Sequence, residues 1–156
     1  MRFENSQIFK DIDTVLLCIE SAFHYQDKSR FMQQIRRVLR PSGKFLVADI
    51  LSRSYKNRYF LERWKRKMSY HHWTENHYLE TFKKNNLNIG YTENITDAIK
   101  DGYKGFGRWI KREDFNSFLD YLWFKLFIFI QVKINLYLLN KRRQYFIFVG
   151  TPETKA

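Results

Sequence analysis

The chain has 156 residues, a formal net charge of +12, and is 44% hydrophobic and 19% aromatic. That is enough apolar matter for one domain with a core, and it excludes a disordered polypeptide. The single cysteine, Cys18, excludes an intramolecular disulfide and a cysteine-based metal cluster, so a reducing cytoplasm is the expected setting.

The opening "MRFENSQIFKDID" has no apolar run, and no secretory signal is expected. Val15 to Ile19 is short, apolar and partly β-branched, which suits a strand covered on both faces. Asp27 can cap a following helix on which Phe31, Ile35, Val38 and Leu39 share one face. Pro41-Ser42-Gly43 ends it, because proline cannot continue a helix and glycine permits positive φ. Lys44 to Leu51 reads as a second strand. Residues 14–51 are therefore a strand–helix–strand crossover, which implies a parallel pair.

Arg53 to Met68 is basic and aromatic, with Phe60, Trp64 and Met68 four apart. A surface helix with solvated Lys and Arg accounts for it better than a nucleic-acid contact. Thr74 can cap a further helix with Tyr78, Leu79 and Phe82 on its core side. "LNIGYTENI" reads as a strand, and "TDAIKDGYKGFGRWIK" as a helix weakened by Gly102, Gly105 and Gly107. Phe118 to Leu139 is long and apolar, but Asp120, Lys125, Gln131, Lys133 and Asn135 interrupt it. A buried or interfacial helix is the expectation, with core packing ahead of contact with a membrane surface and a true span last. "RRQYFIFVGTP" closes the chain as a strand ended by Gly150 and Pro152. His71, His72 and His77 do not share a helical face and have no Cys or H-E-x-x-H pattern beside them, so no metal is expected.

In this order the elements resemble the middle of class I S-adenosylmethionine-dependent methyltransferases, in the small-molecule branch with sterol, quinone and polyketide enzymes. The resemblance lies in "DTVLLCIESAFHYQDKSRFMQQIRRVLRPSGKFLVADIL". There Asp13, Glu20, His24 and the run Arg37 to Gly43 occupy family positions, with Ser42 in place of the usual first Gly. "YLETFKKNNLNIGYTENIT" is similar to the family's later helix and strand, with Asn94 where Asp is common. The resemblance implies an α/β Rossmann-like fold of which only strands 4-5-7-6 are present. The family's cofactor turn, G-x-G-x-G after a strand, is absent, and strands 1–3 are missing. Residues 1–156 are then expected to be one N-terminally truncated domain, with 112–140 an aromatic helical insertion in it.

Ligands of open α/β sheets sit beyond the carboxyl ends of the strands. By resemblance, Cys18, Ile19 and Glu20 would line the S-adenosylmethionine side of that crevice. Ser21, Tyr25 and Asp49 would face the acceptor, and His24 would be the base. For each there is a structural alternative. His24 can order its loop, Glu20 can cap or order a turn, and Cys18 is a small core residue with nothing local to lower its pKa. The implied activity is methyl transfer to a small, apolar acceptor, by a chain unable to hold the cofactor alone. The implied partners are that acceptor, a chain supplying the missing strands, and a membrane surface at 118–139, with nucleic acid ranked below them. The competing reading is a non-catalytic basic interaction protein derived from such an enzyme.

Overall fold

A computed structural model of the chain describes residues 15–53, 71–106, 108 and 110–153. Asp13 and the helix expected at 53–68 lie outside them, save Arg53. Strand β1 (Val15–Ile19) leads through a 3-10 turn at Ala22–His24 into helix α1 (Lys28–Val38), and strand β2 (Lys44–Ser52) follows. The two strands are parallel, in register from Val15 against Lys44 to Ile19 against Ala48. The Asp27 side chain caps α1 by accepting from the Arg30 amide at 2.8 Å. The expected turn follows the helix, closed by the Gly43 amide donating to the Arg40 carbonyl at 2.9 Å.

Helix α2 (Glu75–Lys84), strand β3 (Leu87–Asn94), helix α3 (Thr96–Gly105), helix α4 (Phe118–Lys141) and strand β4 (Arg143–Pro152) complete the described chain. Thr74 caps α2, as its position suggests. The sheet order is β1-β2-β4-β3, with β4 antiparallel to both neighbours. This is the expected 4-5-7-6 arrangement.

The pleat sends alternate residues to opposite faces. One face carries Cys18 from β1, Phe45, Val47 and Leu51 from β2, and Phe146 and Phe148 from β4. These pack with Met32 and Ile35 of α1 and Tyr78 and Phe82 of α2 as the core. Phe82 lies against Phe45 and Phe148, with ring centroids 5.3 and 5.5 Å apart. Met32, absent from the expected stripe of α1, is fully buried, whereas Phe31 and Val38 are only partly so. Gly150 sits where β3, β4 and the Phe45 ring converge. A Cβ there would run into the Asn88 carbonyl and come within 2.7 Å of that ring.

Two expectations are corrected. β1 is covered on one face only: Val15, Leu17 and Ile19 are 64%, 63% and 60% exposed. And α4 is not a core helix, because among its residues only Leu139 is buried. The physical reason is that α4 docks through its last turns. The Arg53 guanidinium donates to the Leu139 carbonyl at 3.2 Å and to the Arg143 carbonyl at 3.0 Å, pinning the α4–β4 junction. The helix upstream runs clear of the sheet.

Candidate active site

On the second face of the sheet, at the carboxyl ends of β1 and β2, lies a cavity of about 370 Å³. Its apolar walls come from Ile50, Ile99, Phe106, Leu138 and Leu139, and its polar groups are Glu20, Tyr103, Asn135, Arg143 and Tyr145. Five elements meet there: the end of β1, the end of β2 with the start of β4 beside it, helix α3, and the last turns of α4. Ile50 and Tyr145 are direct partners in the ladder, which sets them side by side on the same face.

Glu20 follows the last residue of β1 and has a φ of 50°, the left-handed region that a non-glycine residue seldom adopts. Its amide donates to the Ala48 carbonyl at 2.9 Å, so the turn is held against the end of β2. Backbone strain of this kind gathers at functional sites, where neighbouring structure enforces it. The Tyr145 hydroxyl faces the Glu20 carboxylate in the cavity wall. Burial first, and then the proximity of this anion, push the Tyr145 phenol well above its usual range. Tyr103 is also raised, by burial and by the Glu20 charge, while Arg143 pulls it the other way. Both hydroxyls are therefore protonated donors at neutral pH, and Tyr103 feels both the Glu20 carboxylate and the Arg143 guanidinium.

Tyr145 is fixed from behind. Its amide donates to Thr96 Oγ1 at 2.8 Å, and its carbonyl accepts from the Ile95 amide at 2.9 Å. Asn94 supplies what an Asp would supply here: its side-chain oxygen accepts from the Thr96 amide and hydroxyl at 3.1 and 2.5 Å.

The other residues singled out in the sequence lie elsewhere. Cys18 is buried on the core face with Sγ 3.1 Å from Ser21 Oγ, and burial raises its thiol pKa. Ile19 points from the exposed side of β1. Ser21 accepts from the Tyr25 hydroxyl at 3.3 Å, and Tyr25 packs its ring 4.8 Å from Phe31. His24 is exposed and lies against Phe23, with centroids 4.1 Å apart. None of these five lines the cavity; of the residues singled out at the end of β1, Glu20 alone does.

Asp49 does not reach the cleft. The pleat turns it to the core face, where it is fully buried. It accepts hydrogen bonds from the Tyr78 hydroxyl and from the Phe23 amide, the latter at 3.2 Å. Burial raises its carboxyl to about 6, against the pull of Tyr78 and Lys28. Lys28 is buried beside it, its ammonium 5.3 Å from the Trp73 ring centroid and bonded to the Tyr25 and His71 carbonyls. Burial lowers it to about 8. The pair ties the loop after β1 to the segment before α2. Tyr103, Tyr145, Asn135 and Arg143 went unnoticed in the sequence because they come from three distant elements, α3, α4 and β4, that only the tertiary fold brings to Glu20.

A family model described as "Methyltransferase domain" matches residues 4–47. The fold is that of the S-adenosylmethionine-dependent methyltransferases. The phosphoethanolamine N-methyltransferase 2 of Haemonchus contortus, solved with phosphomonomethylethanolamine and S-adenosylhomocysteine, superposes at a TM-score of 0.74. It has 15% identity, over 90% of this chain and 33% of that one. The geranyl diphosphate C-methyltransferase of Streptomyces coelicolor A3(2) superposes at 0.64, with 12% identity over 89% and 46%. An O-methyltransferase from a trans-AT polyketide synthase of Brevibacillus brevis superposes at 0.60, with 15% identity over 89% and 43%. The chain thus spans a third to a half of the length of these structures. No curated protein matches the sequence.

Those neighbours methylate nitrogen, carbon and oxygen, so the shared fold does not define the acceptor atom. The described residues also make a poor cradle for S-adenosylmethionine. Of the three expected contacts, Cys18 is turned into the core, leaving Ile19 and Glu20 at one edge. No glycine-rich turn follows any described strand. The same edge strand presents an uncovered apolar face.

Proposed function

We propose that this chain supplies the acceptor wall of a small-molecule methyltransferase, and that the cofactor wall is built by polypeptide other than the residues described. The observation that carries the reading is the cavity at the strand ends, where the strained Glu20 meets Tyr145, Tyr103 and Arg143 against an apolar floor. Such a lining suits a small amphiphilic acceptor, an apolar body with a polar head, rather than a wholly apolar one. The neighbours solved with phosphomonomethylethanolamine and with geranyl diphosphate support a small-molecule acceptor of this general kind.

The chemistry asked of these residues is modest. The cofactor supplies the methyl group when bound. The protein orients the acceptor and receives a proton where the acceptor loses one. Glu20 is the anion nearest the cavity and can hold that proton, with Tyr145 facing its carboxylate. Tyr103 and Arg143 orient the polar head. His24 lies outside the lining and can act only if its loop moves.

The test has two arms. Calorimetric titration of S-adenosylmethionine into the 156-residue chain should give no measurable heat; tight binding by this chain would overturn the divided-site reading. Saturation-transfer NMR with phosphoethanolamine and geranyl diphosphate as probes should show contact that E20Q and Y145F both weaken. Contact indifferent to both substitutions would remove the cavity from the reading.

A further inference from the structure

Helix α4 has 24 residues, long and apolar enough by length and composition to cross a membrane, and only its last turns touch the domain. Trp123 is 69% exposed, and Phe118, Leu122, Phe127, Phe129 and Ile130 are exposed with it. Ahead of its last turn, its polar side chains, Asp120, Lys125, Gln131, Lys133 and Asn135, are scattered along it and make no continuous polar face. A soluble surface helix has a polar face turned to water, and one without it belongs in a core or in lipid. Here the core is excluded, since the described domain buries one residue of it.

The charges around it single out the surroundings. Between residues 108 and 143 stand Arg108, Lys111, Arg112, Lys125, Lys133, Lys141, Arg142 and Arg143, against Glu113, Asp114 and Asp120. Two lysines in the body of the helix lie over its own rings, Lys125 5.3 Å from the Tyr121 centroid and Lys133 5.4 Å from that of Phe129. Their stems thus follow apolar surface while the ammonium groups can reach anions at a boundary. A protein groove has no need of basic groups at both ends and in the middle; an anionic bilayer surface attracts all three.

We infer that α4 is a membrane-seating element, lying in the headgroup–acyl boundary of an anionic bilayer and holding the domain on its surface. It lies in the plane and does not span. The helix is about 36 Å long, enough to span. But α3 lines the same cavity as the last turns of α4, so both sit on the domain side. A spanning α4 would force residues 106–117 back through the hydrocarbon, with Arg108, Lys111, Arg112, Glu113 and Asp114 among them. Instead Phe115 packs 5.7 and 5.3 Å from Tyr121 and Phe124, against the start of α4.

The test is co-flotation of the 156-residue chain with phosphatidylcholine vesicles with and without phosphatidylserine. It needs no methyl-transfer assay and so stands or falls apart from the function proposed above. The chain should float with the phosphatidylserine vesicles, and less so as salt rises. Its fluorescence should be quenched by brominated acyl chains, and much less in W123F. The F127D/I130D variant replaces two exposed side chains, so it should keep its unfolding midpoint and partition on the order of a hundredfold less. Asn116→Cys on bound protein should react with an impermeant maleimide added outside sealed vesicles, and protection would overturn the in-plane arrangement. Absence of flotation, equal flotation of chain and variant, or a stable dimer that hides α4 and excludes vesicles would each overturn the seating role.

Discussion

The two faces of the sheet are finished differently. The face toward α1 and α2 is sealed: Phe45, Val47, Phe148, Tyr78 and Phe82 are wholly buried, and Asp49 and Lys28 are buried with their polar groups bonded. The other face is covered only near the ends of β1 and β2, where α3 and the tail of α4 enclose the cavity, and Val15, Leu17 and Ile19 lie open. Stability and site thus come from opposite sides of one sheet. The sealed face holds the strands in place, and the half-covered face carries Glu20 and Tyr145 in the cavity wall. The buried Asp49 joins the two. It accepts the Phe23 amide from the loop that carries Glu20.

The comparison breaks first at the sealed core. Phe148 touches Phe82, Tyr78 and Phe146, and F148A should cost about 3–5 kcal/mol in urea unfolding, enough to abolish cooperative folding of a marginal chain. If F148A costs under 1 kcal/mol, that face is not the structural one. Next is G150A. The methyl group meets backbone and ring, and the overpacking should cost about 1–3 kcal/mol by the same measurement. Y78F leaves a buried carboxylate one donor short and should cost about 1–3 kcal/mol.

Burial of ionisable groups in that face also gives stability a pH dependence. Asp49 is raised from 3.8 to about 6, so the folded chain binds its proton more tightly than the unfolded one does. Its contribution is fullest below pH 3.8 and is lost as pH rises through 6. Lys28 is lowered from 10.5 to about 8, so its contribution is present above 10.5 and lost as pH falls through 8. D49N should flatten urea midpoints between pH 4 and 6, and K28M those between 8 and 10.5. If both slopes persist in the variants, the two groups are not buried as charges.

Legibility in the sequence followed the same divide. The strand–helix–strand unit and the Asp27 and Thr74 caps were readable because each rests on local pattern: apolar runs, capping residues, a Pro-Ser-Gly stop. The 4-5-7-6 order came from the family resemblance alone, and the sheet has it. Of the residues expected at the site, Glu20 alone lines the cavity. Asp49 sits at a strand end, yet which face it takes depends on the pleat, and the pleat put it in the core. Tyr103, Asn135, Arg143 and Tyr145 lie 83 or more positions beyond Glu20, and no local signal draws them together. The coverage of β1 and α4 was misread for a related reason. Apolar composition says that a surface avoids water, but not whether this polypeptide is what covers it.

The smallest expected effect tests that last point. Leu17 is as apolar as any core residue, yet its side chain lies open at 63% exposure. L17S in this chain should therefore change urea stability by no more than about 0.5 kcal/mol, as for any exposed site. Leu17 is a ladder partner of Leu46, so a cost of several kcal/mol would mean that this face is sealed in solution by something packed across β1 and β2. A polypeptide that docks there to complete the cofactor wall would convert the substitution from silent to severe. L17S measured with and without such a polypeptide reports whether the open face is the joint between the two walls of the site.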